Sequence, residues 1–568
     1  MNRNLRRVPF FVGLSDDALH AIQDRLVLKR YRKGETVFVE GAVGDSMYLV
    51  ESGQVAVVTE SKNGLPETII AYHGPGSFFG EMALLLGERR SATIRVVIDA
   101  ELWQLHKSDL DTLLRAHPNI GVIMSRELSR RLSRTIHQPT TEDITNIITA
   151  IGPQGAQLAE AIALVAGERL MVLDLGGLGG QRGDLDPAVA FKCLREGAEP
   201  EELAETLSEE VEAYARVVMV TTRQENALSR KAADLAEVVV EIGGRSTPWV
   251  KRFARENYIH VAEEAPLILA VARRIARRRV GLALSSGNAR GIAHIGLLKV
   301  LDQAGVPIDI IAGTSAGALF GGLYCAGRTI EEIADFARRL PRATSLLGGL
   351  FDVPVIPRSG FIRGQRTVRY LQGFFENKSF DQLRIPLRAV AADLITGEEV
   401  VLKSGSVAEA VRASFSIPGI FEPAPLDGRR LIDGGAVNPV PVSALAGQAD
   451  IIIACSVIPS LTDRIHRREM LASGRMPNLL GIYLGTMEIM EAGIIESRMG
   501  AVDVLVQPDV TRYRSLEYDK ADEIITAGEE AARRMLPDIL DHLRTGHGAP
   551  QTHSRNGHNA PSPVLAQG

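Results

Sequence analysis

The sequence predicts a multidomain α/β protein: an N-terminal β-roll followed by a helix, a middle α/β domain, and a C-terminal α/β domain with a mainly parallel sheet. Three observations lead there. The chain has 568 residues, too many for one hydrophobic core. Residues 31–58 alternate apolar and polar positions between glycines, the pattern of short antiparallel strands. From about residue 170 onward, continuous apolar runs alternate with helical stretches, as in a buried parallel sheet.

Taken in order, residues 1–137 open with a short helical pattern from Asp16 to Leu26 and then turn to strands. YRKGETVFVEGAVGDSMYLVESGQVAVV is punctuated by Gly34, Gly41, Gly44 and Gly53, which suit tight turns. After Trp103 the period becomes helical, with Leu110, Leu113 and Leu114, then Ile120, Ile123 and Leu128, on one face. Residues 138–275 hold three strand candidates: 170–175, 215–222 and 236–242. The Gly-rich turn GGLGGQRG after the first lacks both the GxGxxG spacing and a GK[ST] ending, so it reads as structural. Residues 276–545 continue the pattern with strands at 280–284, 309–313, 387–394 and 450–457. The tail 546–568, rich in Gly, Pro, Asn and Ser, is expected to be disordered.

Composition narrows the function classes. Hydrophobic residues at 45% and charged residues at 23% place the chain among ordinary globular proteins. A net charge of −5 supplies no global basic field, so a nucleic-acid partner is not expected. Cys193, Cys325 and Cys455 are odd in number and lack metal-type spacing, which argues against a disulfide framework or a metal site. The N-terminus has no apolar run of signal-peptide length, and no segment reaches the roughly 18 apolar residues of a spanning helix. The expected address is the cytoplasm, with peripheral contact at the inner membrane surface.

The C-terminal region carries the chemistry. Gly313-Thr314-Ser315-Ala316-Gly317 follows a strand and precedes a small-residue helix. In a G-x-S-x-G turn the serine hydroxyl projects above the sheet, and Gly313 and Gly317 let neighbouring backbone pass. Upstream, Ser285-Ser286-Gly287-Asn288-Ala289-Arg290-Gly291 joins a strand to a helix; such a loop offers free amides to an oxyanion. Downstream, Asp433-Gly434-Gly435 places a carboxylate that can take the serine's proton. Few histidines follow Asp433 and none has a strand-end context, while His294 recurs with apolar partners at helical spacing and reads as packing. The residues thus offer Ser315 and Asp433 no evident histidine partner. Asp393 reads as a turn tie and Cys455 as core.

Together SGNARG, GTSAG, AADLITGEEV, VRASFSIPGIFEP and DGG resemble the patatin-like phospholipase family, in the family's order over about half the chain. The resemblance implies a Ser–Asp dyad with Ser315 as nucleophile and Asp433 as base, and an oxyanion hole at Gly287, Asn288, Ala289 and Arg290. It also implies hydrolysis of acyl esters of phospholipids or lysophospholipids without a catalytic cofactor or metal. The family's oxyanion loop has three consecutive glycines; Ser286 and Asn288 stand in place of two of them here. That departure motivates one alternative, a ligand-binding regulatory protein with a weakened hydrolase domain. Another is an acyltransferase using the same dyad.

In the first domain, Phe79-Gly80-Glu81-Met82-Ala83 followed by Arg90-Ser91 forms a phosphate cradle. Gly80 admits a ligand close to backbone, the short helix presents amides, Glu81 suits a ribose hydroxyl and Arg90 a phosphate. These residues and the upstream glycines resemble the cyclic-nucleotide-binding domain, which implies cAMP or cGMP as a regulatory ligand. Paired with a patatin-like domain, the organisation resembles bacterial relatives of neuropathy target esterase. Residues 265–279, with five arginines beside an apolar run, read as a linker helix with a basic face in preference to a headgroup contact. SLLGGLF at 345–351 is the better candidate for a lid or acyl-chain contact.

Overall fold

The computed structural model describes residues 23, 25–59, 68–116, 147–178, 186–194, 197–254, 257–343, 351–354, 356, 359–460, 479–498 and 502–545. Most of the helical pattern at 16–26, the positions Ile120, Ile123 and Leu128, residues 345–350 and the tail lie outside these. The chain divides into two compact units, with the division between Arg277 and Arg278.

The first unit begins with an antiparallel roll: β1 (Val27–Tyr31), β2 (Thr36–Phe38), β3 (Ser46–Thr59), β4 (Thr68–His73), β5 (Phe78–Phe79), helix α1 (Glu81–Leu86), β6 (Thr93–His106) and helix α2 (Lys107–Ala116). The long strands β3 and β6 pair through the middle of the roll, and Ser46–Val50 of β3 is buried on both faces, with Met47 and Leu49 in one cluster and Tyr48 and Val50 in another. Gly44 is required by close approach, since a methyl group there would lie 2.6 Å from Ala83 Cβ and 3.0 Å from the Arg90 guanidinium carbon.

A six-stranded parallel sheet follows, in the order β12-β11-β7-β10-β8-β9. Its elements are β7 (Ile147–Ile151), α3 (Gly155–Ala166), β8 (Leu170–Asp174), β9 (Val189–Cys193), α4 (Pro200–Ala213), β10 (Val217–Thr221), α5 (Ala227–Leu235), β11 (Val238–Ile242), α6 (Pro248–Ala254), β12 (Tyr258–Val261) and α7 (Ala265–Ala276). The three strands expected here are β8, β10 and β11. Three more were not anticipated, and one of them, β7, pairs with β10 and β11 in the sheet interior. Helix α7 buries Ile268, Val271, Ala272, Ile275 and Ala276 in the core of this sheet, so the apolar run before the arginines packs on protein. Roll and sheet share a cluster in which Ile98 of β6 lies with Leu203, Leu207 and Leu235. Lys33 Nζ donates to the carbonyls of Asp234, Leu235 and Ala236 at the end of α5, where helix carbonyls lack intrahelical partners.

The second unit contains β13 (Val280–Leu284), a 3₁₀ turn (Asn288–Ile292), α8 (Ala293–Gln303), β14 (Ile310–Thr314), α9 (Ala316–Cys325), α10 (Ile330–Ala343), β15 (Gly360–Ile362), α11 (Gln365–Phe374), β16 (Leu387–Asp393), β17 (Glu399–Leu402) and α12 (Val407–Ser414). It continues through β18 (Gly419–Phe421), β19 (Ala424–Leu426), β20 (Arg429–Asp433), β21 (Ile451–Cys455), α13 (Leu479–Arg498), β22 (Val504–Val506) and α14 (Ala521–Thr545). The main sheet runs β19-β20-β16-β14-β13-β21-β22, with β17 on β16. Strands β16, β14, β13, β21 and β22 are parallel, while β17, β19 and β20 form an antiparallel flank. Strands β13 and β14 are buried throughout, which accounts for their unbroken apolar runs. Because β13 and β14 are neighbours, the loops at their C-terminal ends lie side by side, and the site forms there.

Candidate active site

Ser315 stands between β14 and α9 with φ 53° and ψ −113°, a backbone conformation that a non-glycine residue keeps only where its surroundings enforce it. The enforcement is visible. A methyl group on Gly317 would lie 2.1 Å from the Leu284 carbonyl oxygen, and one on Gly313 2.5 Å from Ala318 N. The Ser315 amide donates to Ser414 Oγ at 2.9 Å, and that hydroxyl donates to the Val390 carbonyl at 2.6 Å. Helix α12 thereby ties the turn to β16.

Ser315 Oγ donates to Asp433 Oδ2 at 2.7 Å. Asp433 ends β20, two strands from the serine, because β20 pairs antiparallel with β16 and β16 parallel with β14. Its other oxygen accepts from the Gly435 amide at 2.8 Å, and its own amide donates to the Ser416 carbonyl at 2.9 Å. Asp433 is 5% exposed. Burial pushes its carboxyl up to about 6, against the Gly435 and Ser315 hydrogen bonds that favour the charged form. The string Arg412-Ala413-Ser414 and Ser416 acts as scaffold: buried Arg412 donates to Ser416 Oγ and to the Arg363 and Glu422 carbonyls.

The loop after β13 carries the four residues expected to serve an oxyanion. Asn288 adopts φ 52° and lines the same cavity as Ser315. The amide of Ala289 donates to the Ser515 carbonyl and that of Arg290 to Gly287, so these two hold the loop's shape. Among the described residues the amides of Gly287 and Asn288 have no such acceptor. Buried Arg290 anchors the loop through Nε to the Tyr513 carbonyl at 2.8 Å and through Nη1 to Glu488 of α13 at 3.0 Å. His294 is buried on α8 with Nε2 2.9 Å from the Ser285 carbonyl, and burial holds it down at about 4. It is a neutral packing residue. Asp393 accepts from the Ile395 amide, a turn tie as expected.

From Ser315 and Asn288 a cavity extends between Leu319, Phe320, Phe336, Leu340, Phe351, Leu371, Phe415, Ile417 and Phe421. An almost wholly apolar lining with a hydroxyl at one end suits an acyl chain delivered by its carbonyl. Glu488 and Glu491, both on α13 close to the loop and the aspartate, were not anticipated. Their spacing of three within TMEIMEAG was the only signal, and it says nothing about what the helix packs on.

In the first unit, Gly80 caps α1 at φ 80°. Arg90 is buried beneath it: Nη1 donates to the Gly80 carbonyl at 2.8 Å, Nη2 to the Ser46 carbonyl at 2.7 Å, and the guanidinium lies 3.9 Å over the Phe38 ring. Among the described residues its buried Nε has no acceptor. Glu81, Met82, Ala83 and Ser91 line the same small cavity, with Glu81 buried and Met82 and Ser91 exposed. The sequence-predicted cradle residues thus converge on one place.

Residues 282–446 match the family described as patatin-like phospholipase, and residues 28–117 match the cyclic nucleotide-binding domain. An uncharacterized NTE family protein of Mycobacterium tuberculosis is 27% identical over 94% of this chain and 97% of its own length. A second protein of that family and organism is 42% identical over 32% of this chain and 49% of its own length. "Lysophospholipase nte1" of Neosartorya fischeri is 22% identical over 89% of this chain and 41% of its own length. The chain therefore carries a patatin-like phospholipase domain behind an N-terminal cyclic nucleotide-binding domain, with NTE family relatives along most of its length.

Proposed function

We propose that this protein hydrolyses acyl esters of phospholipids or lysophospholipids, with Ser315 as nucleophile and Asp433 as general base. The observation that carries the reading is the 2.7 Å hydrogen bond from Ser315 Oγ to a buried carboxylate, made from a strained turn at the end of an apolar cavity. Asp433 takes the hydroxyl proton as Oγ attacks the acyl carbon, and the amides of Gly287 and Asn288 face the developing oxyanion. The alcohol leaves with that proton, giving an acyl-Ser315 ester. Water then attacks the ester, Asp433 accepts its proton and returns it to Ser315, and the fatty acid departs.

In this reading a cyclic nucleotide, cAMP or cGMP, occupies the Gly80–Arg90 cradle and modulates hydrolysis. Its phosphate would compete with the Gly80 and Ser46 carbonyls for Arg90. The lipid substrate requires contact with a membrane or micelle surface, which the enzyme makes peripherally. No described helix is long and apolar enough to cross a membrane.

Hydrolysis of lysophosphatidylcholine and of a short chromogenic ester by wild type, Ser315→Ala and Asp433→Asn, each with and without cAMP, tests the reading. Ser315→Ala is expected to abolish turnover and fluorophosphonate labelling, and Asp433→Asn to lower kcat by on the order of 10²–10⁴. Turnover surviving in Ser315→Ala would overturn the mechanism. A wild type that labels yet transfers acyl groups to glycerol in place of water would make it an acyltransferase.

A further inference from the structure

We propose that Glu491, on α13, is a positioning residue of the dyad: protonated, it holds the space beside Asp433 without adding charge, and its ionisation sets the alkaline limit of hydrolysis. The proposal rests on the Ser315–Asp433 reading above. Its basis is a juxtaposition. A methyl group on Gly435 would lie 2.2 Å from Glu491 Oε1 and 3.2 Å from Asp433 Oδ1, so the two carboxyls flank one backbone position that only glycine leaves open. Glu491 is partly buried there.

The groups around it come from every neighbouring element. From the loop after β13, the Ser286 hydroxyl adjoins the Glu491 carboxyl, and Arg290 supplies the nearby positive charge. Arg290 is already committed to Glu488, one turn earlier on α13, which also accepts from the Ser515 hydroxyl. From β20 comes Asp433. The phenols of Tyr483 and Tyr518 complete the surroundings of Asp433, both pushed up by burial and then by its charge. The pocket therefore holds three carboxyls and one paired guanidinium. Two close carboxylates with one committed cation do not both ionise readily, and one keeps its proton.

Glu491 is the one that keeps it. Burial first, then the charges of Asp433 and Glu488, push it up to about 8, whereas Asp433 stands at about 6. At neutral pH Asp433 carries the charge the reaction needs, and Glu491 is neutral. Above about pH 8 a second negative charge appears between the base and the loop that faces the oxyanion. It opposes charge development at Gly287 and Asn288.

The test is the pH dependence of kcat/KM for the full chain on a neutral chromogenic ester, from about pH 5 to about pH 10. Wild type is expected to rise through about 6 and fall above about 8. Glu491→Gln keeps the shape and removes the titration; it is expected to stay within about 10-fold of wild type near neutrality and to lose the alkaline fall. Should Glu491→Gln fold poorly by circular dichroism, the pH dependence of fluorophosphonate labelling in Glu491→Ala supplies the same readout. An alkaline limb unchanged in the variant overturns the role of Glu491. Absence of Ser315 labelling in wild type overturns the dyad reading itself, and the two failures are distinguishable.

Discussion

Asp433 binds its two roles to one cause. Burial raises its proton affinity toward neutrality, which the proposed role as base requires, and the same burial makes its charge a cost to the fold. The sign follows from the direction of the shift. A carboxyl whose folded value is raised contributes stability at pH below the ordinary carboxylate range, and loses it as pH rises through about 6. Asp433→Asn can still accept from Gly435 and face Ser315, while never ionising. Calorimetry is expected to show this variant melting higher than wild type at pH 8 and no higher at pH 4, with hydrolysis lost at both. A lower melting temperature at pH 8 would mean that the charge is stabilised by something other than these two hydrogen bonds. At this scale the sequence pointed to Ser315 and Asp433 because G-x-S-x-G and DGG are local patterns with a backbone reason behind them, and the fold sets the two within a hydrogen bond. It placed Ala289 and Arg290 in the loop expected to serve an oxyanion; their amides donate to the Ser515 and Gly287 carbonyls.

At the scale of the element, the strand–turn–helix at Ser315 trades conformational strain for a fixed hydroxyl. Ser315→Gly removes the strained side chain and Ser315→Ala does not, so both are expected to be inactive while the glycine variant melts higher, by about 1 kcal/mol. Thermal denaturation of the pair decides it; equal melting would place the strain elsewhere. Gly317→Ala drives a methyl group into the Leu284 carbonyl of the neighbouring strand. It is expected to destabilise by about 1–3 kcal/mol or more and to displace the nucleophile, giving loss of labelling before loss of secondary structure. Strand β7 shows the limit of reading elements from sequence. ITAI is short, and only its central place between β10 and β11 makes it a buried strand.

At the scale of the molecule, every residue of the proposed reaction lies in the second unit, which owns a continuous core from Val280 to Ile539. Residues 278–545 produced alone are expected to fold, label at Ser315 and hydrolyse ester without any response to cAMP; failure to fold would show that the core depends on the first unit. In the first unit, the roll is joined to the parallel sheet through Ile98, the Lys33 contacts to α5 and the Lys231–Asp99 ion pair. In the proposed reading, a nucleotide bound to the roll would reach that sheet through these contacts. In the full chain, cAMP at about 100 times its Kd should add about 2.7 kcal/mol to the stability of this unit, seen as a rise of a few degrees in its melting transition. Arg90→Ala is expected to abolish that shift. A shift retained without Arg90 would remove the phosphate contact from the reading.

The sequence by itself determined the fold class and the strand–turn–helix at Ser315, and it grouped the residues around Gly80, because these are patterns whose backbone geometry depends on small residues at fixed offsets. It also pointed to Asp433. What only the tertiary structure decided is how distant segments meet. Sheet order brings β20 beside β16, so that Asp433 reaches Ser315. Helix α13 lays Glu488 on Arg290 and Glu491 beside Asp433. The middle sheet draws one of its interior strands, β7, from the five-residue run IITAI. Pairings of this kind are fixed by which surfaces are buried together, a property of the packed chain that no window of sequence contains.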